Sequence, residues 1–293
     1  MTVASPPFPN RLNGYNILMI SQPRLTVPLW AWPTVLSLDA PLVALAWQES
    51  FVRTLHLSLG ITPRLLLGLS VWLVYAADRW LDGFSFQSER PGSPRHAFYA
   101  LRRWPLLQLW LVILFLAVVL AGAALPWADL VHGLLLLGLT IGYFIGVHLL
   151  PRFSQLIPKE IQVSILFGIG VTLFLWGRAD FVELALPLLP FMLLCFLNCA
   201  FISLWEHPLD CCQGRPDVLT RLPGLEAWLP LATVMTMGIS AILALASDPA
   251  YYWTLALCSA LLLLLHARRQ ELDLTARRVL ADAVLLLPLA LLL

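Results

Sequence analysis

The chain has 293 residues, 60% of them hydrophobic and only 12% charged, with a formal net charge of +1. Soluble domains carry roughly 25% charged residues, so this composition points to a multi-span membrane protein. A charge this close to zero gives no reason to expect nucleic acid as a partner, because a phosphate-binding surface needs a concentrated basic face. The five cysteines, Cys195, Cys199, Cys211, Cys212 and Cys258, have no CxxC or CxxH spacing, so neither a zinc site nor a disulfide framework is expected.

The first thirty or so residues carry Pro6, Pro7 and Pro9 among scattered polar groups and lack the compact apolar core of a signal peptide. They are read as a cytoplasmic tail (1–30), followed by a single transmembrane domain (31–293). A hydrocarbon layer about 30 Å thick needs about 20 apolar residues per helix. With charges and prolines as punctuation, nine spans are expected, at 38–58, 64–82, 105–125, 129–150, 161–177, 183–205, 226–246, 250–267 and 276–293. Asp39-Ala40-Pro41 opens the first as a cap with a helix-starting proline. Within that span Glu49 and Arg53 stand four apart, as an internal ion pair or as the polar lining of a site.

Basic residues stay in short cytoplasmic loops. With the amino terminus inside, fifteen of the eighteen fall on the inner side, and only Arg53, Arg64 and Arg178 fall outside. The expected location is thus the cell membrane, multi-pass, with the carboxyl terminus on the opposite side. Trp104, Trp127, Trp176, Trp205, Trp228 and Trp253 lie near span ends, where interfacial indoles are expected.

The chemistry concentrates at two helix ends. Val74-Tyr75-Ala76-Ala77-Asp78-Arg79-Trp80-Leu81-Asp82 closes the second span with two acids four apart, and Trp205-Glu206-His207-Pro208-Leu209-Asp210 closes the sixth in the same way. On a helix, residues four apart share a face, so each pair points together. Acids at a membrane boundary call for a cation, and clustered carboxylate oxygens suit Mg²⁺, which shares its shell with phosphate. Solvated salt bridges with nearby arginines are the alternative reading. Four spans separate the pairs, as in two four-helix halves plus a ninth helix.

In topology and in the position of these pairs the chain resembles the UbiA superfamily of intramembrane prenyltransferases, which has nine helices around a central apolar chamber and two aspartate-rich motifs. On the first motif, NDxxDxxxD, Asp78 and Asp82 take the second and third aspartates, and Val74 and Tyr75 replace Asn and Asp. On the second, DxxxD, Glu206 and Asp210 match, with Glu for the first Asp and Gly214 following. The resemblance implies Mg²⁺-dependent transfer of an isoprenoid chain from a prenyl diphosphate to a lipophilic, aromatic acceptor, with these four acids as metal ligands. A terpene cyclase without acceptor, or a noncatalytic polyprenyl-lipid binder or transporter of the same fold, are the alternatives. No obligate protein partner is indicated; membrane lipid is the surrounding partner.

Further candidates are weighed by position. Lys159, the single lysine, is placed to meet diphosphate or else to serve as a positive-inside anchor, and Arg95, Arg102 and Arg103 to meet diphosphate or else anionic headgroups. Tyr75, three residues before Asp78, lines the pocket or packs. Asn198, eight before Glu206, contacts substrate or another helix. Asp282 is expected to pair with Arg278 four residues earlier, and His148 to serve as hydrogen-bonded packing.

Overall fold

The computed structural model describes residues 28–85, 98–99, 101–149, 157–212, 219, 222, 224–247 and 249–292. Among them the architecture is all-helical, with no strand and one isolated bridge between Trp176 and Ala179. The helices are α1 (Trp32–Val35), α2 (Asp39–Thr54), α3 (Ile61–Ser85), α4 (Arg103–Ala124), α5 (Trp127–Phe144), α6 (Lys159–Thr172), α7 (Phe181–Cys212), α8 (Leu225–Ala246), α9 (Pro249–Ala267), α10 (Leu274–Val284) and α11 (Leu287–Leu292). Each expected span overlaps helix over part of its length. Six helices are long and apolar enough to cross a membrane, and a seventh span arises if the bent pair Leu29–Val35 and Asp39–Thr54 acts as one.

The remaining segments are short for physical reasons. The last one, expected as one span over 276–293, breaks between α10 and α11. Pro288 has no N–H and its ring crowds the carbonyl four residues back, Val284. The carbonyls released at the break find other donors: Cys258 Sγ at 3.2 Å from Val284 O, and Trp47 Nε1 at 2.9 Å from Leu285 O. In contrast, α7 runs for 32 residues, about 48 Å by helical rise, despite Pro187, Pro190 and Pro208. It therefore carries Glu206 and Asp210 within one continuous helix, as α3 carries Asp78 and Asp82.

An aromatic cluster occupies the core. Trp47 and Phe51 of α2, Phe191 of α7 and Tyr251 of α9 meet at centroid distances of 4.7 to 5.7 Å, mostly tilted or edge-on, as ring quadrupoles prefer. Gly168 on α6 lets α7 approach closely, since a Cβ there would stand 2.5 Å from Met192 Cγ.

The entry to α2 bends by 78°. Ser37 at the bend adopts φ 59°, a left-handed conformation that is uncommon for a residue with a Cβ. Arg79 of α3 holds it: the residue is 6% exposed and its guanidinium donates to Thr34 O, to Ser37 Oγ at 2.8 Å and to Asp39 Oδ2 at 3.5 Å. Trp72 Nε1 donates to Leu36 O at 3.1 Å, and the Tyr99 hydroxyl lies 2.7 Å from Ser37 Oγ. Burial pushes the Tyr99 phenol above its ordinary range, so it stays protonated beside Ser37. Arg79, counted from the sequence among cytoplasmic-loop cations, is thus an interior group with a structural counter-charge.

The three arginines expected on the outer side all have acidic partners, two of them sharing one carboxylate. Glu49 pairs with Arg64 at 2.8 Å as well as with Arg53 at 3.3 Å, and Arg178 pairs with Asp129 at 2.7 Å. Of the tryptophans expected at interfaces, Trp104, Trp127, Trp176, Trp228 and Trp253 are exposed. Trp205 is buried instead, with its Nε1 3.3 Å from His266 Nδ1.

Arg79→Met would leave Asp39 buried without its counter-charge, and should destabilise the fold by about 3–5 kcal/mol. Asp39→Asn added to it should recover part of that loss. Thermal unfolding of the purified protein in detergent checks both.

Candidate functional site

The two acid-bearing helices border one interior space. A cavity of about 40 Å³ is walled by α2, α3, α6, α7 and α10, and its polar lining is Asp39, Tyr75, Ser164, Asn198 and Asp282, with Cys195 and Cys199 beside them. Tyr75 lies on α3 one turn before Asp78. Asn198 lies on α7 two turns before Glu206. Both acids therefore lie beyond the cavity, toward the carboxyl ends of their helices.

Each of these helices contributes a polar group to a wall that is otherwise apolar. Asp39 comes in at the first turn of α2, its Oδ1 accepting from Ala40 N at 3.0 Å and its Oδ2 from Arg79. Ser164 donates to Ile161 O at 2.9 Å and keeps acceptor capacity. Asn198 is 4% exposed, and its Oδ1 accepts no hydrogen bond among the described residues. Tyr75 presents its ring to Arg79, whose guanidinium carbon stands 5.8 Å from the centroid. The lining is thus rich in acceptors and suited to a hydrogen-bond donor or a cation.

The expected metal-binding acids have separate partners. Asp78 Oδ1 is 3.6 Å from His148 Nε2, which enters from the π-helical turn Ile145–Leu149 after α5 and stacks on Phe144. Glu206 accepts a charge-assisted hydrogen bond from Arg278 Nε across the α7–α10 interface. Arg278 does not pair with Asp282, as the i,i+4 spacing suggested. Asp282 turns instead to the cavity. The side chains of Asp82 and Asp210, and all of Arg95, lie outside the described residues. Among the described residues no three metal-ligating side chains stand together.

As a donor set, carboxylates from α3 and α7 suit Mg²⁺ in kind. Each carboxylate offers about four lone-pair sites, so the Arg278 contact competes for Glu206 without exhausting it. Lys159, at the start of α6, is exposed; its neighbour Glu160 is buried, with neither carboxylate oxygen hydrogen-bonded among the described residues.

Sequence reasoning singled out Tyr75 and Asn198, and both face the cavity. It missed Asp39, Ser164, Glu160 and Asp282 as site neighbours. The one signal for Glu160 and Asp282 was their charge inside or at the edge of an apolar run. Comparison with known proteins adds no relative: no family model, no curated protein and no solved structure matches the chain.

A buried, unsatisfied Asn198 Oδ1 opposes stability. Asn198→Leu should therefore leave unfolding stability unchanged or raise it by about 1 kcal/mol, since it removes a buried acceptor that has no donor among the described residues. A loss of more than about 2 kcal/mol in chemical denaturation would assign Asn198 a purely structural role.

Proposed function

We propose that this chain is an intramembrane prenyltransferase of the UbiA type. It takes an isoprenoid chain from a prenyl diphosphate and transfers it to a lipophilic, aromatic acceptor. One observation supports the reading above the rest: Tyr75 and Asn198, each upstream of an acid pair, line the same cavity. The helices that end in Asp78–Asp82 and Glu206–Asp210 thus border one chamber.

In this reading Asp78, Asp82, Glu206 and Asp210 hold Mg²⁺, which neutralises the charge that develops on the leaving diphosphate. Arg278 and Lys159 add positive charge at the same end, with Arg95 as a further candidate. Tyr75 and Asn198 orient what enters the cavity, and the apolar bundle around them keeps water from the reacting carbon. Nine membrane spans, with the amino terminus in the cytoplasm and the carboxyl terminus outside, complete the proposal. The excess of Lys and Arg in the segments placed inside supports that orientation.

A noncatalytic polyprenyl-lipid binder is the second reading. It draws on the Arg278–Glu206 pair, which occupies one expected metal ligand.

The test is diphosphate release by the purified protein over a panel of prenyl diphosphates, with and without Mg²⁺, and mass spectrometry of the organic product. Release should depend on Mg²⁺ and fall by at least a hundredfold in Asp78→Asn and in Asp210→Asn. A conjugate with an aromatic identifies a transferase, and a hydrocarbon or alcohol from the diphosphate alone a cyclase. Binding of the prenyl lipid without turnover at any chain length would select the binder.

A further inference from the structure

The opposite face of α3 carries a second feature. Between α3 and α4 lies a cleft of about 220 Å³, far larger than the polar cavity, lined by Trp72, Ala76, Ala77, Trp80, Tyr99 and Trp110 among others. Helical periodicity sets Ala76, Ala77 and Trp80 on the side of α3 away from Tyr75 and Asp78. The two sites are therefore separate.

Every polar handle in this aromatic lining is already used. Trp72 Nε1 donates to Leu36 O at 3.1 Å, Trp80 Nε1 to Arg103 O at 3.2 Å and Trp110 Nε1 to Leu73 O at 2.8 Å; the Tyr99 hydroxyl is bonded to Ser37. The cleft offers an occupant only carbon, and the two alanines give it depth. It favours an unfunctionalised chain over a polar small molecule.

Its ends differ. Trp80 meets Arg103 and Trp110 meets Leu73, so α3 and α4 are antiparallel and the cleft starts at the arginine end of α4. Arg102 and Arg103 are exposed there. The Arg102 guanidinium carbon stands 5.1 Å from the Phe98 ring centroid, and that of Arg103 stands 6.0 Å from the Trp104 ring. From Trp72 to Leu81 the helix rises about 14 Å, close to half of a hydrocarbon core about 30 Å thick.

We propose that this cleft binds one acyl tail of an anionic phospholipid, with its phosphate held by Arg102 and Arg103. The depth matches one leaflet, and two guanidiniums at the mouth complement a headgroup with net negative charge. The exposed apolar residues Leu109, Val112 and Phe115 further along α4 continue the surface that lipid would cover. The proposal rests on the membrane reading of the apolar helices and is independent of any prenyl chemistry.

The experiment is native mass spectrometry and thermal unfolding of the full-length protein, delipidated in detergent and then given phosphatidylglycerol, phosphatidylcholine or geranylgeranyl diphosphate. Phosphatidylglycerol should be retained at least tenfold over phosphatidylcholine and should raise the unfolding temperature. Ala77→Phe, which fills the cleft, should cut that retention about tenfold. The double variant Arg102→Gln, Arg103→Gln should retain the two phospholipids alike, and this decides the matter if Ala77→Phe does not fold. Equal retention by the unmodified chain, unchanged retention in folded Ala77→Phe, a surviving preference in the double arginine variant, or displacement of phosphatidylglycerol by geranylgeranyl diphosphate would each overturn the proposal. Failure of diphosphate release leaves all of these readouts in place.

Discussion

A buried guanidinium organises one end of the molecule. Arg79 stands inside the bundle because Asp39, Ser37 and the Thr34 carbonyl surround it with acceptors. Desolvating an arginine is unfavourable by several kcal/mol, and only such a full set of partners offsets it. In return the arginine fixes what would otherwise be a loose entry: the 78° bend, the left-handed Ser37 and the position of the first turn of α2. Asp39, aligned in this way, becomes part of the wall of the polar cavity. Tyr99, tied to the same serine, becomes part of the wall of the aromatic cleft.

α3 is therefore a partition. One face carries Tyr75, Asp78 and the polar cavity shared with α6, α7 and α10. The other carries alanines and indoles whose N–H groups are tied to backbone carbonyls. The same helix separates a space suited to charged and hydrogen-bonding chemistry from one suited to hydrocarbon, and Arg79 pins it from the side. On the α7 side Arg278 reaches Glu206 from α10, and on the α3 side His148 Nε2 stands 3.6 Å from Asp78 Oδ1. The Arg278 guanidinium offsets the Glu206 charge and brings a cation to that end of the bundle.

Much was legible from the order of residues. The positions of the helical segments follow from hydropathy and proline, because a chain in an apolar environment must satisfy its backbone hydrogen bonds internally and helix does so locally. The i,i+4 carboxylate pairs follow as well, since helical periodicity is a local property: α3 runs to Ser85 and α7 to Cys212, far enough to keep each pair on one continuous helix. Tyr75 and Asn198 could be nominated because a polar side chain within an apolar run needs a partner. The break before α11 was foreshadowed by Pro288, although an unbroken span was expected there.

What sequence alone determined, then, is what depends on neighbours along the chain: the helices, their apolar character and the spacing of acids on them. Tertiary structure decided everything that depends on how one helix is rotated against another. Arg278 could have paired with Asp282 on its own helix, and the rotation of α10 gave it Glu206 while turning Asp282 to the cavity. Arg79 could have faced solvent, and the bend of the entry buried it. The aromatic cleft exists because α4 lies antiparallel to α3 at the height that brings Trp80 to Arg103 and Trp110 to Leu73. Side-chain partners across helices are selected by packing, since burial makes the cost of an unmet charge or hydrogen bond larger than any local preference.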